Sequence, residues 1–316
     1  MTIRIQAIYE SSYLNIISAI TKQLGLHQLI DRMVPVDPQC QTRPSDIVLL
    51  LLLDIFSGRQ ALVHLEGWAH EMDLPKLIRE GVQPSQFNDD AIARHLDRLY
   101  DAGIHSIVSE CLLQIYQKER IPLRVFHADT TSFSLYGTYE SASSKTLNIT
   151  YGYSRDGRST EKQIQFGLVG NEEGLPLYAD VHDGNLSDKT WNPSVLSRVH
   201  EQLQRAKIEG EWVYVADSAA MTADTLREAK AAQALVITRG PNSLRIVKEA
   251  LAQADSDQAV WSEPFSLAEK KGTSYRVWET SASYHGDPVR LIVVESEALD
   301  QRKERTFQIG RASCRE

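Results

Sequence analysis

Two aspartates stand out by where they fall. Asp129 closes the run Leu123-Arg124-Val125-Phe126-His127-Ala128, and Asp217 closes Trp212-Val213-Tyr214-Val215-Ala216. Short runs rich in β-branched and aromatic residues read as strands, so each carboxylate falls at a strand end. One such aspartate is a common turn or cap residue; two brought together behave differently. Adjacent carboxylates repel, and both stay ionised only with a cation between them. Hard oxygen ligands in a partly open site favour Mg²⁺ or Mn²⁺ over zinc. His127 lies two residues before Asp129, on the same side of the strand; it either assists the site or sits satisfied in the core. His182, Asp183, Asn185 and Asp188, in HDGNLSDKT, fit a turn followed by a helix N-cap better than direct chemistry. Lys145, Arg155, Arg158 and Lys162 crowd one loop, as a solvated loop or as phosphate contacts. Trp191 and Trp212 read as core.

For Asp129 and Asp217 to meet, the intervening chain must return one strand beside the other. After Pro122 the pattern is strand-like at Leu123 to Asp129, Gln163 to Val169 and Leu175 to Val181, the last two joined by the turn Asn171-Glu172-Glu173-Gly174. A helix fits Asp188 to Lys207, then a strand at Trp212 to Asp217. A helix capped by Thr222 follows, then a strand at Leu235 to Thr238. Three strands on short turns make an antiparallel meander, and strands that follow helices add in parallel. The expectation is a five-stranded mixed sheet with the first and fourth strands adjacent. Beyond Asp255 come two strand-like pieces, Ser274 to Thr280 and Val289 to Glu295, with no helix between them.

Before Pro122 the texture is helical, with apolar residues recurring every three or four positions from Leu14 to about Lys118. Ser45 or Asp46 caps the run Ile47 to Phe56, and Asn88 to Asp90 offers a cap for a helix holding Ile92, Leu96 and Leu99. Pro35, Pro38, Pro44, Pro75 and Pro84 fall between the periodic stretches, where helices should stop. The run Ile47 to Phe56 contains Asp54 and is about half the length that spans a bilayer, so it reads as a buried core helix; no membrane segment is expected.

The chain has 316 residues, 42% hydrophobic and 24% charged, enough for one large domain and a smaller one with real cores. That composition excludes a disordered tail, a collagen-like repeat and a disulfide scaffold. Its net charge of −8 argues against coating nucleic acid by bulk electrostatics, while leaving a local basic face open. Cys40, Cys111 and Cys314 form no metal or disulfide pattern, which points to a reducing cytoplasm.

The segments FHADTTSFSLYG, LPLYADVHDGNLSDKTW, WVYVADSAAMT and ALVITRG, in that order, resemble the core of DDE transposases encoded by bacterial insertion sequences. The similar branch has a ribonuclease-H-like catalytic domain interrupted by a β-rich insertion, and the helical start with FNDDAIARHLDRLYDAG resembles it too. The resemblance implies an α+β (or α/β) chain divided as follows: 1–120 helical and DNA-binding; 121–255 the ribonuclease-H-like core, incomplete; 256–308 part of the insertion; 309–316 a non-native tail. It implies that Asp129 and Asp217 are the first two catalytic carboxylates, holding two Mg²⁺ or Mn²⁺ ions, with Asp129 bridging both. The implied activity is DNA cleavage and strand transfer, the partners double-stranded DNA (terminal repeats and target) and a second copy, the location the cytoplasm and nucleoid. The family's third carboxylate is a Glu on a helix beyond the insertion; Glu295 and Glu297 lie in or just after an insertion strand and are not assigned that role. Ser218-Ala219 follow the second Asp where the family often has Arg-Gly.

IGRASCRE, 309–316, reads as an in-frame translation of a sequencing-adapter oligonucleotide. The expectation is therefore a chain cut short before its third acid and inactive in strand transfer, with Cys314 not a biological residue. Two other readings of the same residues are a metal-dependent nuclease or phosphohydrolase on the same fold, and a non-catalytic DNA-binding fragment.

Overall fold

The computed structural model describes residues 9, 11–36, 38–140, 147–153, 160–208, 210–267 and 273–297. The expectations for Lys145, Arg155, Arg158 and the tail 309–316 fall outside these residues.

Seven helices open the described chain: α1 Leu14–Leu24, α2 Leu26–Met33, α3 Pro44–Ser57, α4 Leu65–His70, α5 Leu74–Leu77, α6 Asp89–Asp101 and α7 Ile104–Glu119. Their period puts apolar residues on inward faces, and α3, apolar almost all round, is the centre. Ile47, Leu50 and Leu53 are wholly buried there, against Leu65, Leu74, Leu77 and Phe87. This is the buried helix expected, and no single described helix is long and apolar enough to cross a membrane. Its start differs from the expectation. Arg43 is the N-cap, Pro44 the first helical residue, and Asp46 reaches back to accept the Arg43 N–H at 2.8 Å. Pro75 likewise sits in the first turn of α5, and Pro84 opens a short 3-10 turn. These prolines begin helices, because their missing N–H is one a first turn never uses. Asn88 caps α6 as expected, accepting the Ala91 N–H at 2.9 Å.

The second half builds on β1 Val125–Leu135, β2 Lys162–Asn171, β3 Pro176–Asp183, α8 Asp188–Arg205, β4 Trp212–Ala216, α9 Ala223–Ala231 and β5 Ala234–Thr238. The strands form one sheet in the order β3-β2-β1-β4-β5. The pairs β1–β2 and β2–β3 are antiparallel; β1–β4 and β4–β5 are parallel. This is the five-stranded mixed sheet with flanking helices expected, in the ribonuclease-H-like arrangement. Thr222 caps α9, accepting the Thr225 N–H at 3.1 Å.

The helices crowd one face of this sheet. Phe126, Val169, Tyr178, Trp212 and Tyr214 from the strands pack with Trp191, Val195, Leu196, Val199 and Leu203 of α8 and Ala229 of α9. Leu113 and Tyr116 of α7 enter the same core, while Ile107 of α7 packs into the helical half, so one helix joins the two. Gly167 in β2 is required by this packing: a Cβ there would lie 2.3 Å from the Trp191 ring. The opposite face is open. Phe133, Leu168, Val181, Leu235 and Ile237 all point from it and are each 40–58% exposed.

One helix was not expected: α10, Arg245–Ala254, follows β5. The final strands, β6 Tyr275–Tyr284 and β7 Asp287–Ser296, pair antiparallel in a sheet of their own, beside α10. They lie outside the five-stranded sheet, as expected of the β-rich segment.

Candidate functional site

Along β1 the side chains alternate. Phe126, Ala128 and Thr130 are buried under the helices, while His127, Asp129 and Thr131 stand on the open face. The parallel register with β4 sets Ala128 against Ala216. Asp129 follows Ala128 within β1 and Asp217 follows Ala216 just past the end of β4, so the register carries the two aspartates to the same level of the sheet. The long stretch of sequence between them is taken up by β2, β3 and α8.

Each aspartate is fixed locally. One oxygen of Asp129 accepts the Thr130 N–H at 2.8 Å. Asp217 ends β4 and caps a 3-10 turn, Ser218–Ala220, its Oδ1 accepting the Ala219 N–H at 3.0 Å. Its carbonyl also accepts the Thr238 hydroxyl of β5. Ser218 and Ala219, where the sequence departs from the family pattern, therefore build the turn that holds the second aspartate.

The first turn of α8 lies beneath this pair. Its N-cap is Ser187, and Asp188 is the first helical residue rather than the cap. The Asp188 carboxylate instead accepts the Thr130 hydroxyl at 2.6 Å. Asn192, one turn on, donates to the Asp188 carbonyl at 2.7 Å and accepts the Tyr214 hydroxyl at 2.7 Å. Tyr214 is fully buried; burial first, then the charges of Asp217 and Asp188, push its phenol well above the ordinary range, so it stays a neutral donor. Nothing in the sequence announces these links, although Asp188 and Asn192 stand at the i, i+4 spacing that stacks two side chains on one helix face.

The remaining candidates separate. His127 is exposed beside Asp129, level with Val215 of β4. His182 is on the helix-covered side, 2.5 Å from Asp180, whose other contacts are the Tyr178 hydroxyl at 2.5 Å, Trp191 Nε1 at 3.2 Å and Arg198 at 3.2 Å. Burial alone would raise the Asp180 pKa, but the hydrogen bonds from His182 and Tyr178 outweigh it and hold the carboxyl below its ordinary value. This network ties β3 to α8. Asp183 closes the turn expected there through its carbonyl, which accepts the Leu186 N–H at 3.1 Å, while its carboxylate accepts the Asn148 N–H at 2.8 Å. Lys162 spends its ammonium on the carbonyls of Thr138 and Tyr139. Glu295 pairs with Arg276 across the separate hairpin.

Among the described residues, no three or more His, Cys, Asp or Glu side chains are grouped to hold a metal ion. The two aspartates nonetheless suit a hard cation in kind. Mg²⁺ is commonly held by one or two carboxylates, its other positions filled by waters and phosphate oxygens.

Residues 4–113 match the family model of a domain of unknown function, DUF4277. No curated protein matches the chain. Among solved structures, the chain is similar to the catalytic domain of the Mos1 mariner transposase, at 11% identity and a TM-score of 0.26, covering 47% of this chain and 69% of that one. The Mos1 strand transfer complex is similar at 12% identity and 0.26, covering 79% and 85%. A piggyBac transposase synaptic complex with hairpin DNA is similar at 9% identity and 0.35, covering 92% of this chain and 54% of that one, about half its length. Scores this low leave the fold to be argued from strand order and direction, as above.

Proposed function

We propose that this chain carries a metal-dependent phosphodiester site of the transposase kind, in the manner of DDE transposases of bacterial insertion sequences. One observation supports the reading: the β1–β4 register pairs Ala128 with Ala216, the residues just before Asp129 and Asp217, and Asp129 stands on a face that no described helix covers. Two like charges at such a spacing are stable together only when a cation offsets them.

In this reading Asp129 and Asp217 would hold Mg²⁺ or Mn²⁺. The bound ions would supply the charge that activates a water or a 3′-hydroxyl and offsets the leaving oxygen. The chain's own groups orient the ligands. The Thr130 N–H fixes one Asp129 oxygen, the Ala219 N–H fixes one Asp217 oxygen, and the open face admits a DNA strand. Double-stranded DNA, at the element's terminal repeats and at the target, is the proposed substrate, and a second copy the proposed partner. With two carboxylates and no third acid grouped beside them among the described residues, cation binding is expected to be weak and strand joining absent.

Titration calorimetry with Mn²⁺ tests the reading. Binding by the 316-residue chain that is lost in Asp129→Asn and in Asp217→Asn supports it. No binding, or binding that both variants retain, contradicts it.

A further inference from the structure

The first turn of α8 touches both β1, which carries Asp129 in its middle, and β4, which Asp217 follows. On the β1 side, the Asp188 carboxylate accepts the Thr130 hydroxyl at 2.6 Å, and the Thr130 N–H in turn donates to Asp129. On the β4 side, Asn192 accepts the Tyr214 hydroxyl at 2.7 Å, three residues before Asp217. Asn192 and Asp188 are themselves joined, side-chain amide to carbonyl, at 2.7 Å. Thr130, Asn192 and Tyr214 are buried and Asp188 is half-buried; the Tyr214–Asn192 bond is shielded from water, and breaking it leaves a buried polar group unmatched. The result is a single chain of contacts, Asp129–Thr130–Asp188–Asn192–Tyr214, that crosses beneath the site from one strand to the other.

Such a cross-brace answers a mechanical need of the pair. Carboxylates brought together repel, and a cation between them offsets that repulsion. β4 ends at Ala216, so backbone pairing gives little restraint beyond that point. A turn of helix pinned to both strands supplies it from below. We propose that Asp188 and Asn192 are positioning residues, which hold the middle of β1 and the end of β4 at the separation that lets Asp129 and Asp217 share a cation. This rests on the metal-binding reading of the pair. It assigns Asp188 a role through Thr130, distinct from ligation.

The partners that orient ligands commonly govern metal affinity by about 10–100-fold. Mn²⁺ titration calorimetry, with thermal melting beside it, separates the roles in the full chain. Asp188→Ala is expected to weaken Mn²⁺ binding about tenfold or more. Asp188→Asn keeps an acceptor for the Thr130 hydroxyl and is expected to stay within about threefold of the parent. Thr130→Val removes the hydroxyl while preserving shape, and is expected to weaken binding like Asp188→Ala; it serves if Asp188→Ala does not fold. If Asp188→Asn loses Mn²⁺ as completely as Asp129→Asn does, Asp188 is a direct ligand and the proposal is overturned. If Asp188→Ala and Thr130→Val melt lower but bind Mn²⁺ like the parent, the brace is merely structural and the proposal is overturned. A parent chain that binds no Mn²⁺ overturns the underlying reading first and this one with it.

Discussion

At the scale of single residues, exposure follows from strand parity. Asp129 is in water because Phe126, Ala128 and Thr130 take the buried positions of β1, leaving the odd-numbered residues for the open face. That parity was legible from the apolar run, but the strand's length was not: Asp129 was expected at its end, whereas β1 continues through Thr130 to Leu135, held by its pairing with β2. The partner of Asp188 was not, because a hydroxyl 58 positions away becomes its neighbour only after the meander closes. A second residue-level consequence concerns His95, buried in the helical half with Nε2 3.0 Å from the Thr42 hydroxyl. Burial and the nearby Arg98 charge lower its pKa, and burial with Lys22 lowers that of His27. The unfolded chain takes up these protons near pH 6.5, whereas the folded chain resists until lower pH. Stability present above 6.5 is therefore lost as pH falls towards the lowered folded values. Urea midpoints measured from about pH 7.5 down to about pH 5.5 should fall, and His95→Gln should flatten part of that slope. Equal slopes in parent and variant would contradict the assignment.

At the scale of elements, the strands of the mixed sheet and the helix between β3 and β4 were legible from period and turn chemistry. Helix α10 was not: it is short, no side chain caps it, and Pro241 and Asn242 just before it read as loop. The N-terminus of α3 was misjudged by two or three residues because the cap is an arginine, with Asp46 supplying the acceptor from inside the helix. Contact between β2 and α8 sets a strict demand at Gly167, where β2 passes under Trp191. The Trp191 ring is buried and its Nε1 donates to Asp180 at 3.2 Å, so it has little room to yield. Gly167→Ala should destabilise by about 1–3 kcal/mol, the usual cost of overpacking a core. A urea midpoint unchanged from the parent would mean that the indole moves freely.

At the scale of the whole molecule, the chain has one crowded sheet face and one bare one. The bare face combines apolar side chains from β1, β2, β3 and β5 with two carboxylates near its centre, a combination rare on a monomer surface. Composition gave no sign of it, because the same residues would look identical in a covered core. On the edge strand β5, Leu235 and Ile237 contribute to this face without closing any described core. Leu235→Lys with Ile237→Lys should therefore change stability by no more than about 0.5 kcal/mol, as surface substitutions do. Light scattering from concentrated protein should drop. Loss of a cooperative melt in the double variant would show that the face is packed after all.

The central claim is that Asp129 and Asp217 together hold a divalent cation. Its most direct measurement is the anomalous difference density of crystals soaked in Mn²⁺. The account predicts a peak between the carboxylates of Asp129 and Asp217, within about 2.5 Å of an oxygen of each and absent from Asp129→Asn crystals. Manganese bound only elsewhere on the chain, or an unaltered peak in the variant, would contradict it.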